Sequence, residues 1–387
     1  MTPQPAAPKE LLAKLVGFDT TSRDTNLPLI EFVQSYLGGF GVSSELVPNE
    51  QGNKASLFAT IGPETTGGIG LSGHTDVVPV DGQSWSTDPF KLSEKDGLLY
   101  GRGTCDMKGF IACVLAAIPD FMGRDLKIPI HLLFSYDEEI GCIGVRPMIS
   151  ELGSHFPQPS IIVVGEPTEM NVVDAHKSIN AFVTEVTGHE AHSSATHIGV
   201  NAIQIAAELI SELDRIGEDM RARGGGHRFN PPYTTVHVGT IEGGTALNIV
   251  PKKCRFVWEF RGIPGMDEDE IGNRIQSFAA EKLIPKMHEV SDQTGIDIRR
   301  VNHVPAFHAP EGSTAVSLIL KLAEKNETFT VSYGTEAGLF EHGNCPAVIC
   351  GPGNIEQAHK PDEFVAISEL DACMRFLRRL AAHAEAG

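Results

Sequence analysis

Apolar positions along this chain recur with two periods, and where one gives way to the other the chain divides. Over 10–17 and 27–38 the spacing is helical; Leu29, Ile30, Val33, Tyr36 and Leu37 mark one face of a predicted surface helix. Segments 44–47 and 55–61 read as strands. Helical spacing returns over 108–122 through Phe110, Val114, Leu115, Ile118 and Phe121. Nearly unbroken apolar runs at 68–71, 130–136, 161–165 and 347–350 read as strands buried on both faces. Strands alternating with helices in this way predict an α/β fold, a mostly parallel sheet flanked by helices.

The pattern changes after about residue 178. An alternating strand at 180–187 is followed by a strongly amphipathic helix at 201–216 and strands at 234–240 and 254–261. A second helix, 268–290, is interrupted by Pro285. This β-α-β-β-α order predicts a two-layer α+β domain with one open sheet face. Helices at 314–325 and 367–384 then resume the first pattern. The expected organisation is a discontinuous main domain, 1–178 and 294–387, with an inserted domain at 179–293. Gly224-Gly225-Gly226 is the clearest flexible loop.

Composition narrows the function. With 41% hydrophobic residues, the 387-residue chain has enough for a full core. A net charge of -19 argues against nucleic acid, which needs a basic face. No apolar run approaches the ~18 residues of a membrane span. Residues 1–9 carry neither a basic n-region nor an apolar h-region, and the seven cysteines include no Cys-x-x-Cys pair. The expectation is a cytoplasmic protein with reduced thiols.

The chemistry lies where the buried runs end. His74 follows the run at 68–71, and Asp76, two residues on, shares its side in an extended backbone. Asp106 stands just before the helix at 108–122. The run at 130–136 ends in Asp137-Glu138-Glu139, that at 161–165 ends at Glu166, and that at 347–350 leads to His359. Alone, His-x-Asp is ordinary loop polarity and Asp106 a helix N-cap. Repeated at the carboxyl ends of strands, where α/β proteins bind ligands, the set points to a metal site. Two imidazoles and three carboxylates suit zinc, cobalt or manganese. Three carboxylates exceed what one divalent ion needs, so two ions bridged by Asp106, about 3.5–4 Å apart, are expected. Neighbouring Glu138 and Glu139 diverge in an extended segment, leaving one free to act as a general base beside metal-activated water.

Gly73-His74-Thr75-Asp76-Val77-Val78-Pro79, the run from Gly101-Arg102-Gly103 to Asp106-Met107-Lys108-Gly109, Asp137-Glu138-Glu139 and Gly165-Glu166-Pro167-Thr168 resemble the dizinc amidohydrolase family. The resemblance implies a catalytic domain binding two Zn2+ (Co2+ may substitute), with an inserted dimerisation or lid domain. It implies that His74, Asp106 and Glu166 bind one ion and Asp106, Glu139 and His359 the other. Glu138 would be the general base and acid, with Asp76 orienting His74. Cys105, beside the bridging aspartate, reads as an inert small hydrophobe.

Gly188-His189-Glu190-Ala191-His192-Ser193-Ser194 resembles the family segment that lends a histidine to the neighbouring subunit, which implies a homodimer and an oxyanion-stabilising role for His192. Asn248, Arg261 and the glycines at 243 and 244 look like the region that grips a substrate carboxylate. Tyr333-Gly334-Thr335-Glu336-Ala337-Gly338 and Gln357-Ala358-His359-Lys360-Pro361-Asp362-Glu363 resemble the family's acetylornithine deacetylases. The implied reaction is hydrolysis of N2-acetyl-L-ornithine, a step of arginine biosynthesis, with Glu336 facing the ornithine ammonium. Alternatives are a succinyl-diaminopimelate desuccinylase or broad N-acyl-amino-acid hydrolase and, outside the class, a non-catalytic metal- or amino-acid-binding protein.

Overall fold

The structure is a computed structural model describing residues 5–387. The chain forms two compact units. One runs to Asp174 and resumes as His308–Phe329 and Thr335–Gly387; the other is Ala175–Phe307 with Thr330–Gly334.

In the larger unit the sheet order begins Ser44–Pro48, Ala55–Ile61, Ile130–Ser135, Ile69–His74, Ile161–Pro167, Ala347–Gly351. The last four are mutually parallel, and the first two join antiparallel at one edge. The sheet is therefore mixed and mostly parallel at its centre, as the continuous apolar runs require. Each parallel central strand is buried along its whole length. Helix Lys108–Met122 packs on strands Ile69–His74 and Ile161–Pro167, and helices Pro8–Val16 and Ile367–Ala386 pack against it. Leu12, Val16, Ile111, Leu115, Phe376 and Leu380 fill the space among them. Gly165 permits this close approach: a Cβ there would meet the Phe110 ring at 2.1 Å. Parallel neighbours end on the same side, so His74, the segment after Ser135, Glu166 and the loop after Gly351 leave the sheet together.

The smaller unit is a four-stranded antiparallel sheet in the order Thr235–Gly243, Lys253–Arg261, Ile179–Thr187, Gly295–Val304. Lys253–Arg261 buries every second residue, the period-two pattern of a one-sided sheet. Helix Ala202–Arg223 packs on the sheet, its start capped by the Asn201 carboxamide, which accepts from the Ile203 and Gln204 N–H groups. Trp258 stacks on Phe182 at 4.2 Å between ring centroids.

Two expectations need correction. The insertion extends to Phe307 rather than 293, because Gly295–Val304 pairs antiparallel with Ile179–Thr187. Asp297, Arg299 and Arg300 mask its alternation; as an edge strand it keeps charges outward. The predicted helix 268–290 is three pieces: Glu270–Phe278, a wider π turn at Ala279–Leu283, and Ile284–His288. Pro285 lacks the N–H that an uninterrupted ladder would use, so it falls in the first turn of a new helix. Among the described residues no helix is long and apolar enough to cross a membrane.

Candidate metal centre

All five expected ligands and Glu138 belong to the larger unit. His74 ends its strand with its side chain 1% exposed. Its Nδ1 lies 3.0 Å from the Asp76 carbonyl and 3.6 Å from Asp76 Oδ1, which fixes the ring and aims Nε2 outward from the sheet end. Nε2 lies 2.9 Å from Asp106 Oδ1 and 3.8 Å from Glu166 Oε1. On the far side, His359 Nε2 lies 3.3 Å from Asp106 Oδ2 and 3.0 Å from Glu139 Oε2. One carboxylate thus presents a different oxygen to each imidazole. Ligand atoms of His74, Asp106 and Glu139 fall within 4.8 Å of one another, as do those of His74, Glu138 and Glu166.

Asp76 does more than its expected task. Its Oδ2 accepts the Ser22 hydroxyl at 2.7 Å, and its carboxylate accepts the backbone N–H of Glu138 at 3.1 Å and of Glu139 at 3.3 Å. It therefore sets the backbone carrying the acidic pair as well as the imidazole. Asp137 adopts φ +55, so 137–139 is a turn rather than an extension of the strand. Glu138 Oε1 accepts from the buried Cys142 thiol at 3.3 Å. Lys54 Nζ pairs with Asp137 at 2.6 Å, both largely buried; neither partner carries a local sequence signal for it.

Burial pushes the Glu138 carboxyl up to about 8, opposed by the His74 charge. Burial, then the Asp106 charge, pushes Glu139 up to about 7. Glu166 is raised well above the carboxylate range, again by burial first. Hydrogen bonds to Asp106 and then Glu139 lift the His359 imidazole to about 10. Burial disfavours the charged His74 ring, yet its contacts to Asp106 and Asp76 carry it well above normal. Asp106 moves the other way, held low by both imidazoles despite burial. Carboxylates buried side by side hold protons that a divalent cation would displace. The donor set, all oxygen and imidazole nitrogen, fits divalent ions of the zinc and cobalt type.

Other expected site residues lie elsewhere. His192, Asn248 and Arg261 belong to the smaller unit. His192 is exposed, its Nδ1 2.8 Å from Ser194 Oγ, and the Ser193 N–H donates to the Asn248 carbonyl at 3.0 Å. The Asn248 side chain is exposed. Arg261 donates to both oxygens of Glu259, at 3.2 and 3.0 Å. That pair was readable, since residues two apart in a strand share a face. Glu336, expected to face a substrate ammonium, is 1% exposed, and its two oxygens accept the hydroxyls of Ser72 and Ser135. Ser72 lies within its strand and Ser135 ends its own, so both carboxylate oxygens are engaged by the sheet. Cys105 is buried, its thiol pushed far up by burial while donating to the Asn354 carbonyl at 3.2 Å. Burial of this kind disfavours the reactive thiolate.

Residues 70–383 match the model of peptidase family M20/M25/M40. An acetylornithine deacetylase of Myxococcus xanthus is 36% identical over 378 residues, covering 96% of each chain. One from Pasteurella multocida is 34% identical over 92% of this chain and 91% of its own. The fold matches an M20 family metallo-carboxypeptidase of Sulfolobus solfataricus with a TM-score of 0.77, at 18% identity, over 99% of this chain and 100% of the other. A match of this length, with relatives this similar from end to end, means that the chain belongs to peptidase family M20/M25/M40 and is a metal-dependent amidohydrolase.

Proposed function

We propose that this chain hydrolyses the amide of N2-acetyl-L-ornithine to acetate and L-ornithine, a step of arginine biosynthesis. Two Zn2+ ions, for which Co2+ would substitute, would be held by His74, Asp106 and Glu166 and by Asp106, Glu139 and His359. The observation carrying the metal reading is the Asp106 carboxylate, with Oδ1 2.9 Å from one imidazole and Oδ2 3.3 Å from the other. When bound, the ions supply Lewis acidity for water and for the acyl carbonyl. The substrate reading is supported by the acetylornithine deacetylases similar along more than nine-tenths of the chain.

Glu138 is the general base. It takes the proton of the attacking water and delivers it to the departing α-amine. Asp76 fixes the tautomer of His74 and the backbone of Glu138. His192 stabilises the tetrahedral oxyanion in the site of a second copy of the chain, joined through the smaller unit as a homodimer. Its exposure, with Ser194 as its only side-chain hydrogen-bond partner among those seen, suits a group that acts on another molecule. Asn248 and Arg261 contact the substrate carboxylate; the Arg261 fork exchanges Glu259 for it. The test is kcat/KM for N-acetylornithine, N-acetylmethionine and N-succinyl-diaminopimelate on one preparation. N-acetylornithine leads if the reading holds; a preference for the succinyl substrate would reassign the enzyme.

A further inference from the structure

One buried carboxylate near the metal centre is neither a proposed ligand nor the base. Glu363, four residues beyond His359, is 1% exposed. Its Oε1 accepts the backbone N–H groups of Cys105 at 2.9 Å and Asp106 at 3.1 Å. Its Oε2 accepts the Gly103 N–H at 3.0 Å and Arg102 Nη1 at 2.7 Å, and its own carbonyl accepts from Gly101. One residue thus organises the whole turn that presents Asp106. Arg102 carries the connection back toward His359. Its guanidinium, 1% exposed, donates to the Lys360 carbonyl at 3.3 Å and to Gln83 Oε1 at 2.5 Å, and it lies over the Trp85 ring. The Gln83 carboxamide in turn donates to the His359 carbonyl at 3.0 Å. Strand Phe364–Ala366 pairs with Leu98–Tyr100, closing the same loop from its other side.

His359 and Asp106 come from segments far apart in sequence, and His359 sits in a left-handed backbone conformation at φ +63. Neither feature fixes their spacing. Bonds from a single carboxylate and its arginine do. We propose that Glu363 is a positioning residue that sets the separation of Asp106 from His359, and with it the affinity for the ion those two residues share. This inference rests on the two-ion reading above. Partners that orient metal ligands typically contribute 10–100-fold in metal affinity.

The test measures stepwise Zn2+ dissociation constants against a chromogenic chelator, and the Co2+ absorption spectrum, for wild type, Glu363→Gln and Gln83→Leu. In Glu363→Gln one oxygen becomes an NH2 facing donors already pointing at it. The expected result is about 10–100-fold weaker binding of one ion of the two, with an altered Co2+ spectrum. Gln83→Leu leaves the Glu363 carboxylate in place and removes the link to the His359 carbonyl, together with the acceptor for Arg102 and Trp85, and several-fold weakening of the same ion is expected. If Glu363→Gln lowers the ion-free melting temperature but keeps wild-type affinities and spectrum, Glu363 is merely structural and the proposal fails. If Glu363→Gln does not fold, Gln83→Leu decides alone, and wild-type affinities there overturn the linkage. A wild-type protein that binds no pair of ions would instead sink the functional reading, and this inference with it.

Discussion

The strand-end cluster and the segment around His192 are built in opposite ways. Around Asp106, the chemically active groups are held by others in the same unit, His74 by Asp76, Glu138 and Glu139 by backbone contacts to Asp76, and Asp106 by two imidazoles. Around His192 the side chains are exposed, and the imidazole is bonded to Ser194, two residues on. Leu247 is fully exposed at 101%, and Ile241 and Ile249 are also exposed. The first region is preorganised within one chain. The second presents an exposed histidine beside exposed apolar side chains, the surface on which the proposed homodimer rests.

That contrast breaks most readily at Glu138. Glu138→Gln is expected to lower kcat by about 10²–10⁴-fold while metal content stays at two ions per chain. Loss of metal together with activity would make Glu138 a ligand rather than the base. His192→Ala is expected to cost about 10²–10³-fold in kcat, again with metal retained. The trans arrangement is sharpened by mixing these two inactive variants. Hybrid dimers contain one intact site, so subunit exchange should restore about a quarter of wild-type activity. No recovery, with exchange verified, would place His192 in its own chain's site or outside catalysis.

Glu336→Gln sharpens a different boundary. Because its carboxylate serves Ser72 and Ser135, the substitution should cost about 1–3 kcal/mol of stability. It should change KM for N-acetylornithine and N-acetylmethionine equally. A selective rise for N-acetylornithine would return Glu336 to the substrate pocket.

The smallest effect is on the pH dependence of the ion-free protein. Glu139 and Glu138 sit at about 7 and about 8, above the ordinary carboxylate value of ~4.3. The folded chain therefore holds protons that the unfolded chain has released, and stability falls as pH rises from about 5 to about 8. His359, at about 10, acts with the same sign above about 6.5, where an unfolded histidine has lost its proton. The melting temperature of the metal-free protein should decline by a few degrees between about pH 6 and pH 9, and saturating Zn2+ should remove the decline. A metal-free melting temperature that rises over that window would contradict the cluster's electrostatics.

Much of the first region was legible because strand ends announce themselves. An apolar run that stops at His74, at Asp137-Glu138-Glu139 or at Glu166 states both the element and the side of the sheet on which the residue emerges. What stayed hidden depends on distant partners. Nothing near Glu336 in sequence announces that its oxygens serve Ser72 and Ser135, and Glu363 carried no signal of the four donors it gathers. Gly295–Val304 escaped because an edge strand needs little apolar alternation once a neighbour supplies its hydrogen bonds. The Arg261–Glu259 pair is a different case, since their spacing alone put them on one face.

The central claim is that these side chains hold two divalent ions and that amide hydrolysis depends on them. It is tested most directly by stripping the protein with chelator and titrating Zn2+ back while following bound metal and N-acetylornithine hydrolysis together. The account predicts saturation at two ions per chain, with hydrolysis absent from the stripped protein and returning as the ions bind. Hydrolysis that survives complete removal of metal, or saturable binding that restores none, would contradict it.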